Sequence, residues 1–203
     1  PVDGEWLRWA RESHPSKSDP VASVRWARTG DELNISELFD WTREISGKGM
    51  MNEIAIVDDE MDVTMYRLSI INPTGNVKPA SKDDHPMLGV EHLSRKFLRD
   101  DELDWINGIS NPVTNLFDEL NNRGLLVRPG FKYGSMWRVY ETSVGEGHAP
   151  WLIQPAHRAP LNWEGSCLAV RLSEGVNKLW VCALFYQEKW FYLQVQRWLP
   201  GRI

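Results

Sequence analysis

Two segments of this chain end alike, and that likeness limits the fold more than any other feature. MNEIAIVDDEMDVTMYRLSII at 51–71 and LWVCALFYQEKWFYLQVQRW at 179–198 each give an apolar strand, a short polar turn and a strand of mixed polarity, the pattern of a β-hairpin. The likeness continues upstream without a gap: Arg43 and Gly47 stand seven and three residues before Met50, and Arg171 and Gly175 stand seven and three before Lys178. Further back, GEWLRWARES from Gly4 follows GSMWRVYETS from Gly134 at an offset of 130, with Arg8 opposite Arg138. The offset falls to 128 by residue 43, which implies one small insertion. Residues 4–71 and 134–198 are expected to be diverged copies of one unit.

Between the copies lies a different kind of sequence. Residues 73–85, PTGNVKPASKDDH, are rich in turn formers and polar groups and are expected to be a linker. Residues 86–122 are expected to be helical, first through Leu88, Leu93, Phe97 and Leu98, then through a second helix on Val113, Leu116, Phe117 and Leu120 that Asn121, Asn122 and Gly124 stop. LLVRPGFKYG follows as a strand entering a glycine-containing turn.

A length of 203 residues leaves room for one ordinary domain or two small ones, and a composition 42% hydrophobic and 25% charged is that of a soluble globular chain. No apolar run approaches the roughly 18 to 20 residues that span a bilayer, and PVDGEWLRWARE lacks the apolar stretch of a secretory signal, so a soluble, cytoplasmic protein is expected. Cys167 and Cys182 sit among apolar neighbours without metal-ligand spacing and are expected to be buried free thiols. The net charge of -5 argues against a protein that coats nucleic acid indiscriminately. It hides an asymmetry: from Arg123 onward there are ten Lys and Arg against five Asp and Glu, leaving 13 basic and 23 acidic residues before it. Such a split suits a polyanion at one end and a protein partner at the other.

Three stretches then carry chemistry: GFKYGSMWRVYE at 130–141, EGHAPWLI at 146–153 and VRLSEGVNK at 170–178. Together they resemble the catalytic domain of archaeal tRNA-intron (splicing) endonucleases, which carry a Tyr in an RVY strand, a His just before a strand and a Lys closing a helix end. The three would fall on Tyr140, His148 and Lys178. IAIVDDEMDVTMY resembles the same family's non-catalytic repeat. The resemblance implies a mixed α/β (α+β) fold. A degenerate β-rich repeat (1–72) and a linker (73–85) would precede a catalytic unit made of a helical N-terminal part (86–133) and a nuclease domain (134–203) whose mixed sheet is flanked by helices. The implied activity is excision of introns from precursor tRNA at a bulge-helix-bulge element, without metal or cofactor, by a homodimer or a heteromeric assembly with another endonuclease chain.

The residue types suit that chemistry. RNA is cut without metal when its own 2'-hydroxyl attacks the adjacent phosphorus, which needs a base at that hydroxyl, an acid at the departing 5'-oxygen and a cation for the phosphorane. Histidine, with an ordinary pKa of about 6.5, is the natural proton donor, and lysine supplies a permanent charge. Tyrosine becomes a base only beside a cation, a place expected for Lys178. The resemblance implies that the products would be a 2',3'-cyclic phosphate and a 5'-hydroxyl. The first copy has Ala10 where the second has Tyr140, Ser18 or Pro20 for His148, and Met50 for Lys178. It is expected to have kept the architecture and lost the chemistry.

The hairpin turns diverge the other way. The first copy has Asp58, Asp59, Glu60 and Asp62, the second Gln187, Glu188 and Lys189. The resemblance implies that this acidic loop docks into a positive cleft of an opposing catalytic unit; Arg123, Arg128, Lys132 and Arg138 are candidate receivers. It also implies that Arg171 and Arg197 grip an unpaired RNA base, since a planar guanidinium can stack and bond a phosphate at once. Trp180, Trp190 and Trp198 are expected in core or interface, and His14, His85, His92 and His157 in surface or capping roles. A metal-dependent nuclease of restriction type would need paired carboxylates near a lysine, where the second copy has scattered Glu141, Glu146 and Glu174. A non-catalytic scaffold subunit would be preferred had only residues 1–72 been present.

Overall fold

The two hairpins join. In the computed structural model, which describes residues 5–83, 88–143 and 145–199, β3 (Met51–Val57) and β4 (Val63–Ile71) form the first hairpin, and β10 (Leu179–Tyr186) and β11 (Lys189–Trp198) the second. β4 and β11 pair antiparallel over seven residue pairs, from Ile71–Tyr192 to Met65–Trp198. Around that seam the chain builds one nine-stranded mixed sheet in the order β1-β2-β3-β4-β11-β10-β9-β8-β7, with β1 (Glu5–Arg8), β2 (Ala22–Arg28), β7 (Leu126–Pro129), β8 (Trp137–Tyr140) and β9 (Trp151–Pro155). On each side of the seam the pairing runs antiparallel, parallel, antiparallel, and a helix connects the two parallel strands.

Those helices are α1 (Ile35–Gly47) and α4 (Trp163–Glu174), each started by an asparagine whose side-chain oxygen accepts a backbone N–H, from Glu37 to Asn34 and from Gly165 to Asn162. Both lie on one face of the sheet and close a single core across the seam, with Phe39, Trp41, Ile54, Tyr66, Trp163, Trp180 and Leu193 in it. On the opposite face, α2 (Asp100–Ile106) and α3 (Pro112–Asn122) cover only the second half, through Trp105, Leu116, Phe117 and Leu120 packed on Trp137, Val139 and Ile153. There the first half is sealed by charge: Glu53, wholly buried, takes hydrogen bonds from Arg8 at 2.7 Å and Arg67 at 3.0 Å, and both guanidiniums stack on Trp198.

The expected helix over residues 86–98 is corrected. Asp84, His85, Pro86 and Met87 lie outside the described residues, and the stretch after them is a small hairpin of β5 (Val90–His92) and β6 (Arg95–Phe97). It turns through Leu93 and Ser94, both at positive φ, the geometry that matches the twist of two paired strands. The helices begin only at Asp100, and β7, inside the part expected to be helical, belongs to the sheet. Residues 73–83 carry no helix or strand but are fastened down. Val77 donates to Gly124, and Asn121 clamps both backbone groups of Ala80 at 2.8 Å. Both cysteines are buried and free. Among the described residues no helix is long and apolar enough to cross a membrane.

Candidate active site

Lys178 owes its position to the way α4 ends. Asn177 adopts a left-handed φ of 54°, its N–H donates to Glu174 O at 3.0 Å, and the N–H of Lys178 reaches back to Ser173 O at 2.9 Å. These are the two bonds of a Schellman stop, which reverses the chain and leaves the following side chain at the mouth of the next strand. From there Lys178 Nζ donates to Ala149 O at 2.8 Å, reaching the loop that leads into β9. His148, one residue earlier, is exposed, and its imidazole makes no hydrogen bond among the described residues. Tyr140 ends β8 and packs on Leu126 and Ala149, with 9% of its surface exposed. All three expected residues therefore converge on Ala149, at one end of the adjacent strands β8, β9 and β10.

Two further residues border this point. Gly130 allows the chain after β7 to press against β8, where a Cβ would stand 2.7 Å from the Trp137 carbonyl carbon. The short 3-10 turn that follows, Phe131–Tyr133, sets the Tyr133 ring 5.9 Å from Lys178 Nζ. Arg138, two residues before Tyr140 and so on the same strand face, stands 5.7 Å from the Tyr140 ring. From the sequence Lys178 holds that neighbouring role, Arg138 is only a candidate receiver of the acidic loop and Tyr133 has no role. The period of two along β8 was the available signal for the arginine; for Tyr133 there was none.

The other expected residues form a separate group. Asp58 organises the β3–β4 turn, its side-chain oxygen accepting the N–H groups of Glu60 and Asp62 at 3.0 and 2.9 Å. Asp58, Asp59, Glu60 and Asp62 line a cavity of about 370 Å³ together with Arg171 on α4 and Arg197 on β11. The arginines expected at RNA and the acids expected at a partner thus share one cavity, apart from Tyr140 and Lys178. Arg123 is already engaged, donating to Glu119 and Asn72 at 2.6 Å each. Among the described residues no three His, Cys, Asp or Glu side chains are grouped so as to hold a metal ion.

The first half repeats the backbone of this end of the sheet. Gly49, at φ 75°, donates to Ser46 O and Met50 N donates to Ile45 O, the same stop as in α4, and the side chain it leaves at the strand mouth is Met50, packed against the core. Strand pairing corrects the other two equivalences. Arg8 pairs with Ala22 and Ala22 with Met51, whereas Val139 pairs with Trp151 and Trp151 with Leu179, so Tyr140 is matched by Trp9 rather than Ala10. Counting three residues back from Ala22 and from Trp151 puts Asp19, between Ser18 and Pro20, opposite His148. The connections differ in length at more than one place, so no constant offset aligns both ends. Trp9 and Met50 offer no acid-base group, while Asp19 does.

Comparison with known proteins gives the family to which the chain is similar. Residues 114–190, a span that contains Tyr140, His148 and Lys178, match the family model described as tRNA intron endonuclease, catalytic C-terminal domain. The chain is 29% identical over 192 residues to the tRNA-splicing endonuclease of Thermoplasma volcanium, covering 86% of this chain and 62% of that protein. It is 25% identical over 160 residues to that of Picrophilus torridus, covering 70% and 54%. With that of Methanothermobacter thermautotrophicus it shares 24% identity over 170 residues, 79% of this chain and 89% of the relative. The chain thus spans little more than half the length of the first two relatives. Its mixed α/β fold, the match of residues 114–190 to the family's catalytic domain and the agreement of three relatives make the chain similar to tRNA-splicing endonucleases.

Proposed function

We propose that the chain cuts precursor tRNA at intron boundaries in a bulge-helix-bulge element, by attack of the RNA's own 2'-hydroxyl. The observation that carries this reading is the convergence of Tyr140, His148 and Lys178 on Ala149, with Lys178 tied to the loop that bears His148. Tyr140 takes the 2'-hydroxyl proton, the 2'-oxygen bonds to phosphorus, and the phosphorus–O5' bond breaks as His148 gives a proton to the leaving oxygen. Lys178 faces the charge that builds on the phosphorane. The products are a 2',3'-cyclic phosphate and a 5'-hydroxyl. Cleavage of a bulge-helix-bulge RNA in EDTA, with end-group analysis, tests the reaction. Cyclic phosphate ends are expected; activity that vanishes in EDTA and returns with Mg²⁺ overturns it.

In this reading the halves divide the labour as diverged copies of one unit. The first supplies architecture and the acidic turn, the second supplies the chemistry. The turn would dock on a basic surface of a second endonuclease chain, identical or not. Because Arg171 and Arg197 share no cavity with Tyr140 and Lys178, they would grip an unpaired base presented from a second site in such an assembly. Recognition by folded shape suits RNA, whose deep major groove resists reading by side chains.

A further inference from the structure

A cavity of about 870 Å³ opens between the β5–β6 hairpin and the turn after β7, and four cations line it: Lys96, Arg128, Lys132 and Arg138. Glu91 is the one acid lining it among the described residues. Two of the cations are set against each other, because Arg128 and Arg138 are direct partners across the β7–β8 ladder. Like charges in that position destabilise a sheet, so folding alone does not favour them. Arg128 is half-buried and spends one N–H on Gly89 O at 2.7 Å. Burial, with the charges of Arg99 and Arg138, holds its pKa below the usual arginine range despite the opposing charge of Glu102. Arg138 Nε is buried and has no hydrogen-bond partner among the described residues. A donor left over in a ring of cations fits an anion.

The cavity also continues the candidate active site. Tyr133, which lines it, stands beside Lys178, and Arg138 lies on the Tyr140 face of β8, two residues or about 7 Å along the strand. At its rim Phe131 is 90% exposed, an aromatic face open to solvent. We propose that this cavity is a second RNA subsite, holding a phosphodiester near the one that is cut while Phe131 stacks on an unpaired base. The inference rests on the reading of the chain as an RNA endonuclease and names where the strand runs beyond the scissile bond. The acidic turn of a second copy is the competing anion. RNA is favoured because carboxylates have no use for an exposed ring and because the cavity continues, through Tyr133, to Lys178.

Lys132 and Phe131 are exposed and can be changed without disturbing the sheet. The test measures binding of the 203-residue chain to a fluorescein-labelled bulge-helix-bulge RNA across a salt series, with single-turnover cleavage in EDTA and sedimentation. Lys132→Glu is expected to weaken binding about ten-fold and to lower the slope of affinity against salt by about one, with Lys132→Arg restoring both. Phe131→Ala is expected to weaken binding to the bulged RNA about ten-fold and to a fully paired duplex less than two-fold. The RNA concentration for half-maximal cleavage rises accordingly, while the rate at saturation falls less than three-fold. Wild-type affinity and slope in both variants overturn the subsite, as does a shift of Lys132→Glu to a smaller sedimenting species, which would make the cavity a protein socket. A wild type that binds RNA but fails to cut it overturns the reaction instead, and the binding series still decides the subsite.

Discussion

The ends of β3 and β10 are built by the same backbone device and differ by one side chain. Both follow a helix closed by a left-handed residue, Gly49 or Asn177, and both return an N–H to the carbonyl five residues back. At the first, Met50 turns into the core; at the second, Lys178 reaches across to Ala149 O. The difference teaches that the fold asks only for a side chain that can leave the turn, apolar or charged. In the proposed reaction the chemistry would be a thin layer on an architecture that stands without it.

The comparison breaks most completely if the first half is dispensable. Asp58, Asp59 and Glu60 all changed to Lys should abolish cleavage and shift the protein to a smaller species in sedimentation; retention of mass and activity would leave the turn a solvated hairpin. Next in size, His148→Ala should lower the single-turnover rate about 100-fold or more with RNA affinity nearly intact, and an equal loss of binding would make His148 structural. Lys178→Met, which copies the β3 end onto the β10 end, should cost about 100-fold in that rate while thermal unfolding stays close to wild type. A collapse of stability would show that Lys178 acts mainly through the Ala149 carbonyl.

A smaller effect concerns the half that carries α2. Burial alone would raise the Asp101 carboxyl, but the charge and hydrogen bonds of Arg99 and the indole N–H of Trp137 outweigh it and hold its pKa below the usual range. A carboxyl depressed in the folded state contributes stability above about pH 4 and loses it as the pH falls through the folded value. Asp101→Asn should therefore cost about 1–2 kcal/mol near neutral pH and flatten the acid limb of denaturant unfolding below pH 4. An unchanged acid limb would assign the acid sensitivity elsewhere. The smallest expectation is a null: Met50→Lys should add no second cut to a bulge-helix-bulge RNA, because Trp9 still occupies the place of Tyr140.

Both hairpins were legible because alternation and turn residues are local signals, and α3 was legible from its apolar spacing and its asparagine stop. The β5–β6 hairpin was not, since its turn is Leu93–Ser94 where such geometry usually announces itself through Asn or Gly. Lys178 and Tyr140 could be picked out as residues, but their meeting at Ala149 depends on the parallel pairing of β9 with β10, which no local pattern encodes. Arg128 facing Arg138 is likewise invisible until the register of β7 and β8 is known.

The seam between β4 and β11 also decides where the sheet stops. Because each half gives its longest hairpin to the other, the two rims fall to β1 and β7, four residues apiece, and β7 closes on Pro129, which has no N–H to offer. Rims this short are poor templates for strand addition by a neighbouring chain. In the proposed assembly copies would meet through turns and side chains, and a union made by carboxylates and cations is one that added salt undoes.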